Sequence, residues 1–388
     1  METSKNLYIL CSGDLEMNIK INRALFETLF SKIDNVAFAD VKITSQNRQV
    51  DDLNQTYEDK KIYKIISINR AIDLAKLLKQ DCIVLSLFSH RPKDWLIFFL
   101  ARIYNTPILY INAIGTVVQV GSTKSNKFWL KLFYSLRPRI IFSKIYVVLV
   151  TFRIFQCIDT IYITEKKQKI RNKKNINYKR VKLVNSKFYD LFLQNKVPQF
   201  EEYIVFLDSM LPYHGDQIVF GYPPIDRDYY YPSLNSFFNL LEKIMKKKVI
   251  VCLHPKYDES NLKFDFPNTL AVKYQSNYYI PKAKLVLFHE TSLINYALMY
   301  EKEILQLTSK KFNDFVIQNC KDWHESINCG QIEFDNSLEK AQIESMLEKQ
   351  KVKSYKDYVE TSLIASGLKG EVGGRQIVED IKNHYKIK

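Results

Sequence analysis

Glycine is scarce in this chain, ten among 388 residues, which removes collagen-like, Gly-rich and repeat architectures. Cysteine is sparser still. The six cysteines, at positions 11, 82, 157, 252, 320 and 329, form no C-x-x-C pair and no metal-ligand spacing. Several lie in strand-like runs, so reduced core thiols and a reducing compartment, the cytoplasm, are expected. Long apolar runs are missing too. The nearest, 140–163, is broken by Lys144, Arg153 and Asp159, so no transmembrane helix is expected. Met1-Glu-Thr-Ser-Lys5 leads into a short apolar strand rather than the apolar core of a signal peptide. No Walker lysine loop, G-x-G-x-x-G, H-E-x-x-H or G-x-S-x-G is present, which weakens ATPase, dehydrogenase, metalloprotease and hydrolase readings.

What remains is globular and basic. Hydrophobic residues make up 46% and aromatics 13%, enough apolar mass for two ordinary domains in a chain of this length. The formal net charge of +15 implies anionic partners: nucleic acid, an acidic membrane face, a sugar nucleotide or an acidic polysaccharide.

Strand and helix patterns alternate from the start. Leu7-Tyr-Ile-Leu-Cys11, 36–43, Cys82-Ile-Val-Leu-Ser-Leu87 and Pro107-Ile-Leu-Tyr-Ile-Asn112 read as buried strands. Amphipathic helices stand between them, one carrying Ile19, Ala24, Leu25, Leu29 and Phe30 and others over 71–78 and 95–104. Residues 51–64 read as an excursion loop and 158–164 as a further strand. The basic run 166–182 reads as a solvated loop, and 183–199 as a linker. A second α/β series opens at Tyr203, and 367–374 reads as a flexible turn before a last amphipathic helix. The expected fold is therefore α/β, with two Rossmann-type doubly wound domains, an interdomain cleft and a C-terminal helix. The domains are placed at 1–197 and 200–366, followed by a helix within 367–388. Between 124 and 155, Lys124, Lys127, Lys131, Arg137, Arg139, Lys144 and Arg153 alternate with Phe128, Trp129, Phe133, Tyr134 and Phe142. That texture suits either a peripheral segment on an anionic membrane face or a buried helical pair with snorkelling bases.

Chemistry concentrates where strands of the second series end. Lys248-Val-Ile-Val-Cys-Leu runs into His254-Pro255-Lys256, and Lys284-Leu-Val-Leu-Phe runs into His289-Glu290-Thr291-Ser292 and a helix expected over 293–300. Tyr203-Ile-Val-Phe-Leu-Asp208 continues to Leu211-Pro-Tyr-His214-Gly-Asp216. Ligands of open α/β sheets sit beyond the carboxyl ends of strands, and a helix N-terminus flanked by hydroxyls favours phosphate. His254 and Lys256 are accordingly candidate phosphate ligands, with Thr291 and Ser292 as their partners. Asp208 is the first candidate for a catalytic carboxylate. His214 suits either a site or a turn, as do His289 and Glu290, for which ribose contact and packing both stay open. Asp14, after the first strand, is a further candidate from the other domain.

These residues carry a resemblance. Tyr203-Ile-Val-Phe-Leu-Asp208-x-x-Leu-Pro212-x-His214, Tyr231-Pro-Ser-Leu-Asn-x-Phe-Phe238, His254-Pro255-Lys256 and Thr291-Ser-Leu-Ile-Asn-Tyr-Ala297 resemble bacterial surface-polysaccharide glycosyltransferases of the GT-B type. Most similar in pattern are those using CMP-activated ulosonic acids, the Kdo transferases and bacterial sialyltransferases. The resemblance implies that His254, Thr291 and Ser292 hold the CMP phosphate and that Asp208 carries the catalytic carboxylate, with His254 assisting departure of CMP. It implies a glycan or lipid-linked glycan acceptor for capsule, lipopolysaccharide or another surface glycan, at the inner face of the cytoplasmic membrane. No metal, cofactor or nucleic acid is implied. Two positions depart from the pattern. Leu207-Asp208-Ser209 stands where the sialyltransferases have Asp-Asp-Gly, and Glu301-Lys-Glu-Ile304 replaces Lys-Pro-Ile. A UDP- or GDP-sugar transferase is the rival within the fold. A non-catalytic membrane-surface or nucleic-acid binder, exploiting the charge, is the rival outside it.

Overall fold

The computed structural model describes residues 5–11, 15–41, 63–87, 94–112, 158–164, 178–195, 202–215, 217, 221–336, 341, 343–345, 348 and 355–387. They divide into two compact units. The first takes the described residues up to 190 together with 364–387, and the second takes 191–363.

The first unit is built on a seven-stranded sheet: β1 Asn6–Cys11, β2 Val36–Val41, β3 Ile65–Ile68, β4 Cys82–Ser86, β5 Ile108–Ile111, β6 Ile158–Ile163 and β7 Tyr178–Leu183. Their order is β3-β2-β1-β4-β5-β6-β7, and every pairing is parallel. β2 and β4 are buried along their whole length, as parallel strands covered on both faces must be, which explains their unbroken apolar runs. The second unit repeats the winding with β8 Tyr203–Leu207, β9 Lys248–Cys252, β10 Leu270–Val272, β11 Ala283–Phe288, β12 Glu303–Thr308 and β13 Gly330–Glu333, in the order β10-β9-β8-β11-β12-β13. All of its pairings are parallel as well. Chain order reverses beside β1 in one sheet and beside β8 in the other. Those reversals are the switch points where open α/β sheets bind ligands.

Several expectations are corrected. Residues 178–182, read as the end of a basic loop, and Leu183, read as the start of a linker, form the edge strand β7, whose Lys179 and Lys182 face solvent. An edge strand is covered on one side only, so its lysines mimic a solvated run. β3, β10 and β13, each of three or four residues, went unread because such short runs show no period. The first helix is two, Leu15–Ile21 and Arg23–Lys32. The linker begins later than 183: Val184, Asn185 and Ser186 are buried, and Lys187–Gln194 is helical.

The supposed flexible turn at 367–374 is fastened to the first unit. Asn185 donates to the carbonyls of Leu368 and Glu371, both at 2.7 Å, and accepts from the Ala365 amide at 2.7 Å. The helix that follows, Gly373–Tyr385, packs against Arg23–Lys32. Its amino end is capped from outside by Asp190, which accepts from the amides of Gly373 at 2.6 Å and Gly374 at 2.9 Å. Burial pushes the Asp190 carboxyl up to about 6 despite these bonds. Further along, Asp380 receives Arg180 through two nitrogens at 2.8 and 2.5 Å and the Tyr162 hydroxyl at 2.9 Å. The segment 51–62, the basic-aromatic stretch 124–155, Asp14 and Asp216 lie outside the described residues.

Candidate functional site

Sheet register brings the strand ends of the second unit level. Leu207 of β8 stands opposite Cys252 of β9 and Phe288 of β11, so Asp208, the 253–256 loop and His289 leave neighbouring strands at one edge. Asp208 is 4% exposed. Its Oδ1 accepts the Met210 amide at 2.8 Å and its Oδ2 the His254 amide at 3.3 Å, while its own amide donates to the Cys252 carbonyl at 3.0 Å. Burial raises its pKa to about 6, against the lowering effect of the two amides. Met210 adopts a left-handed φ of 54°, unusual for a residue with a side chain, and the Asp208 bond supports that turn. The carboxylate expected to do chemistry thus already ties the loop after β8 to the loop after β9.

His254 is half-buried, and its Nδ1 accepts the Lys256 amide at 3.1 Å. An amide can only donate, so Nδ1 carries no proton and the neutral ring presents Nε2–H as a donor. Burial first, then the charges at His214, Lys256 and Lys273, pushes its pKa down to about 4, so the ring is neutral near pH 7. β9 ends at Cys252, Pro255 follows His254 in the loop, and Lys256 is exposed beyond it. His214 follows the short 3-10 turn Leu211–Tyr213, and its ring centroid lies 5.9 Å from that of His254, edge to face. Two imidazoles and an ammonium are therefore gathered at the ends of β8 and β9.

After β11 the outcome is mixed. Thr291 and Ser292 are half-buried at the carboxyl end, and Thr291 Oγ1 accepts the Leu293 amide at 3.3 Å. The helix behind them is shorter than expected, Ile294–Met299, and buried on every side rather than amphipathic. Six residues make a weak dipole, so any phosphate attraction here rests on the hydroxyls and loop amides. His289 is wholly buried. Its Nδ1 bonds the Leu307 carbonyl at 2.7 Å and its Nε2 the Tyr230 hydroxyl at 2.8 Å, and burial holds its pKa near 4. Both nitrogens are occupied within the core, so of the two readings left open for His289 the geometry takes packing. Glu290 is half-buried, and its carbonyl accepts from Ser209 Oγ at 3.3 Å across the switch point between β8 and β11.

Sequence reasoning missed a second buried carboxylate. Asp265, 1% exposed, accepts the hydroxyls of Tyr213 at 3.1 Å and Tyr257 at 2.6 Å and pairs with Arg227 at 2.8 Å. Leu-Lys-Phe-Asp265 carries no motif. Its partners Tyr213 and Arg227 lie 52 and 38 positions away, so only the fold reveals the cluster. Among the described residues no group of three or more His, Cys, Asp or Glu is placed to hold a metal, and no helix is long and apolar enough to cross a membrane.

Fold and strand-end site together define a two-domain α/β protein of GT-B-like architecture. No protein-family model and no curated protein sequence matches the chain. Solved structures do match in fold over almost the full length. The wall teichoic acid polymerase TagF, as its H548A variant, is similar with a TM-score of 0.56 at 8% identity, covering 98% of this chain and 90% of that one. The UDP-GlcNAc 2-epimerase of Methanocaldococcus jannaschii, in complex with UDP-GlcNAc and UDP, is similar with a TM-score of 0.54 at 13% identity, covering 97% and 99%. A TagF H444N variant soaked with CDPG gives a TM-score of 0.55 at 8% identity, covering 99% and 89%. At these identities the likeness establishes the fold.

Proposed function

We propose that the protein is a glycosyltransferase of surface-glycan synthesis that moves a sugar from a nucleotide-activated donor to a glycan or lipid-linked glycan acceptor. The observation that carries this reading is the neutral His254 imidazole. It presents an Nε2–H donor beside Lys256 at the carboxyl edge of a doubly wound sheet. A departing nucleotide phosphate gains charge as the sugar bond breaks. A fixed imidazole donor, an ammonium and the Thr291 and Ser292 hydroxyls stabilise that charge more than they stabilise the intact donor. The donor proposed first is a CMP-activated ulosonic acid, on the strength of the His-Pro and Thr-Ser pattern. A UDP- or CDP-activated donor is the second reading, favoured by the UDP-GlcNAc, UDP and CDPG named with the structural neighbours.

The decisive experiment is a thermal-shift and calorimetric screen against CMP, CDP, UDP and GDP and their sugars, since a ligand bound only by the native state raises its stability. CMP is expected to bind, and His254→Ala or Thr291→Ala/Ser292→Ala to weaken it roughly ten- to a hundredfold, the value of hydrogen bonds to a charged group. Preference for UDP or CDP moves the donor to the second reading. Binding of none of them by the wild type removes the transferase reading.

Peripheral association with an anionic membrane completes the proposal. It is supported by the net charge of +15 and by Trp95, Phe99 and Ile103, exposed at four-residue spacing on the helix Trp95–Ile103. Co-sedimentation with anionic vesicles, released by salt, is the expected result; equal recovery with neutral vesicles counts against it.

A further inference from the structure

The loop after β8, residues 208–214, and the loop after β9, residues 253–257, are tied together twice. Asp208 makes the first tie through backbone, taking the amide of Met210 from one loop and of His254 from the other. Asp265 makes the second through side chains. Its Oδ2 takes the hydroxyl of Tyr213, which precedes His214, and that of Tyr257, which closes the turn after His254 by donating its amide to the His254 carbonyl at 2.9 Å. Each tyrosine is thus a short lever on one of the two histidines. Arg227 faces the other oxygen of the buried carboxyl, with Nε at 2.9 Å and Nη2 at 2.8 Å from Oδ1. The Asp265 carbonyl is held in turn by Asn235 Nδ2 at 2.8 Å, which anchors the hub to the long helix Arg227–Met245.

We propose that Asp265 is a positioning residue of this site, its buried carboxylate holding Tyr213 and Tyr257 together and through them setting the separation of His214 from His254. An ionised carboxylate only accepts, so both tyrosines must turn their hydroxyls inward to it, and the two loops have one relative placement. An amide in its place offers one accepting oxygen and an NH2 that cannot receive a hydroxyl proton. Because both hydroxyls go to Oδ2 and Arg227 to Oδ1, the amide either turns its NH2 to the tyrosines, which then lose their acceptor, or turns it against the Arg227 guanidinium, which loses its own. Holding catalytic groups through a locked outer layer of hydrogen bonds is how sites reach tight tolerances. That the two imidazoles meet a nucleotide phosphate rests on the transferase reading above; their placement by Asp265 does not.

The test separates the two. Protein labelled with 13C at histidine Cε1 reports six histidines, and its spectra are recorded without nucleotide. In Asp265→Asn the signals of His214 and His254 move, while those of His324 and His384 stay. Tyr213→Phe moves His214 and Tyr257→Phe moves His254, each with only one hydroxyl removed. These two variants decide the matter if Asp265→Asn does not fold. CMP affinity falls about tenfold or more in Asp265→Asn, the scale of loss for a misplaced site group. His214 and His254 signals that match wild type in the variants that fold overturn the proposal. So does equal movement of all six, which would mark general loosening. A wild type that binds no nucleotide sinks the transferase reading and leaves the spectra to judge Asp265.

Discussion

Asp190 in the first unit and Asp208 in the second are buried alike, each accepts two backbone amides, and burial raises each to about 6. Asp190 spends its bonds on the amino end of the C-terminal helix, in a unit whose other polar hub, Tyr162, Arg180 and Asp380, clamps the same helix. Asp208 spends its bonds on two strand-end loops that carry histidines. A carboxylate with a raised pKa is often taken to mark chemistry, but here an evidently architectural group shows the same signature. The distinction lies in what the bonds hold: a helix end in one unit, and the approach of His214 to His254 in the other.

The largest expected effect tests the architectural side. Asp380→Ala removes the carboxylate that receives both Arg180 terminal nitrogens and the buried Tyr162 hydroxyl, and should cost about 3–5 kcal/mol in urea unfolding, the scale for breaking a largely buried pair. CMP affinity should be unchanged, because these groups belong to the first unit. A weakened affinity would break the contrast between the units. Gly373→Ala comes next. A Cβ there would lie 2.6 Å from the Asn185 carbonyl oxygen and 3.2 Å from Asp190 Oδ1, so about 1–3 kcal/mol of overpacking is expected from the same measurement.

Asp190→Asn and Asp208→Asn sharpen the comparison directly. Each amide turns an NH2 towards a backbone N–H, and each variant should lose about 1–3 kcal/mol. Only Asp208→Asn should also weaken CMP, which calorimetry would show. If Asp208 were instead the catalytic carboxylate of the resemblance, Asp208→Asn would bind CMP as wild type does and lose transfer by orders of magnitude.

The smallest effect is in pH. Both folded values, about 6, lie above the ordinary 3.8, so the fold favours the protonated carboxyls. Their contribution is present in full below about 4 and is lost as pH rises through about 6. Each Asn substitution should therefore cost about 1 kcal/mol more at pH 5 than at pH 7. His254 and His289, both depressed to about 4, work the other way, losing stability as pH falls below their ordinary 6.5. They are common to wild type and both variants, so the difference isolates the aspartates.

Strand periodicity, Gly and Pro placement and the polar residues ending apolar runs are local properties. They were enough to read both doubly wound sheets and to place Asp208, His254, Thr291 and Ser292 at strand ends. Residues 178–183 and 367–374 were misread because their order comes from distant partners: Arg180 meets Asp380 200 positions on, and Asn185 meets Leu368 183 positions on. The sequence by itself determined the alternation of elements, the basic charge and which residue types stand at the carboxyl ends. Tertiary structure alone decided that His289 turns into the core, that Asp208 is occupied by backbone amides and that Asp265 joins the site from a stretch without a motif. The reason is physical. A side chain's role is set by the donors and acceptors that surround it after burial, and here these come from residues tens to hundreds of positions away.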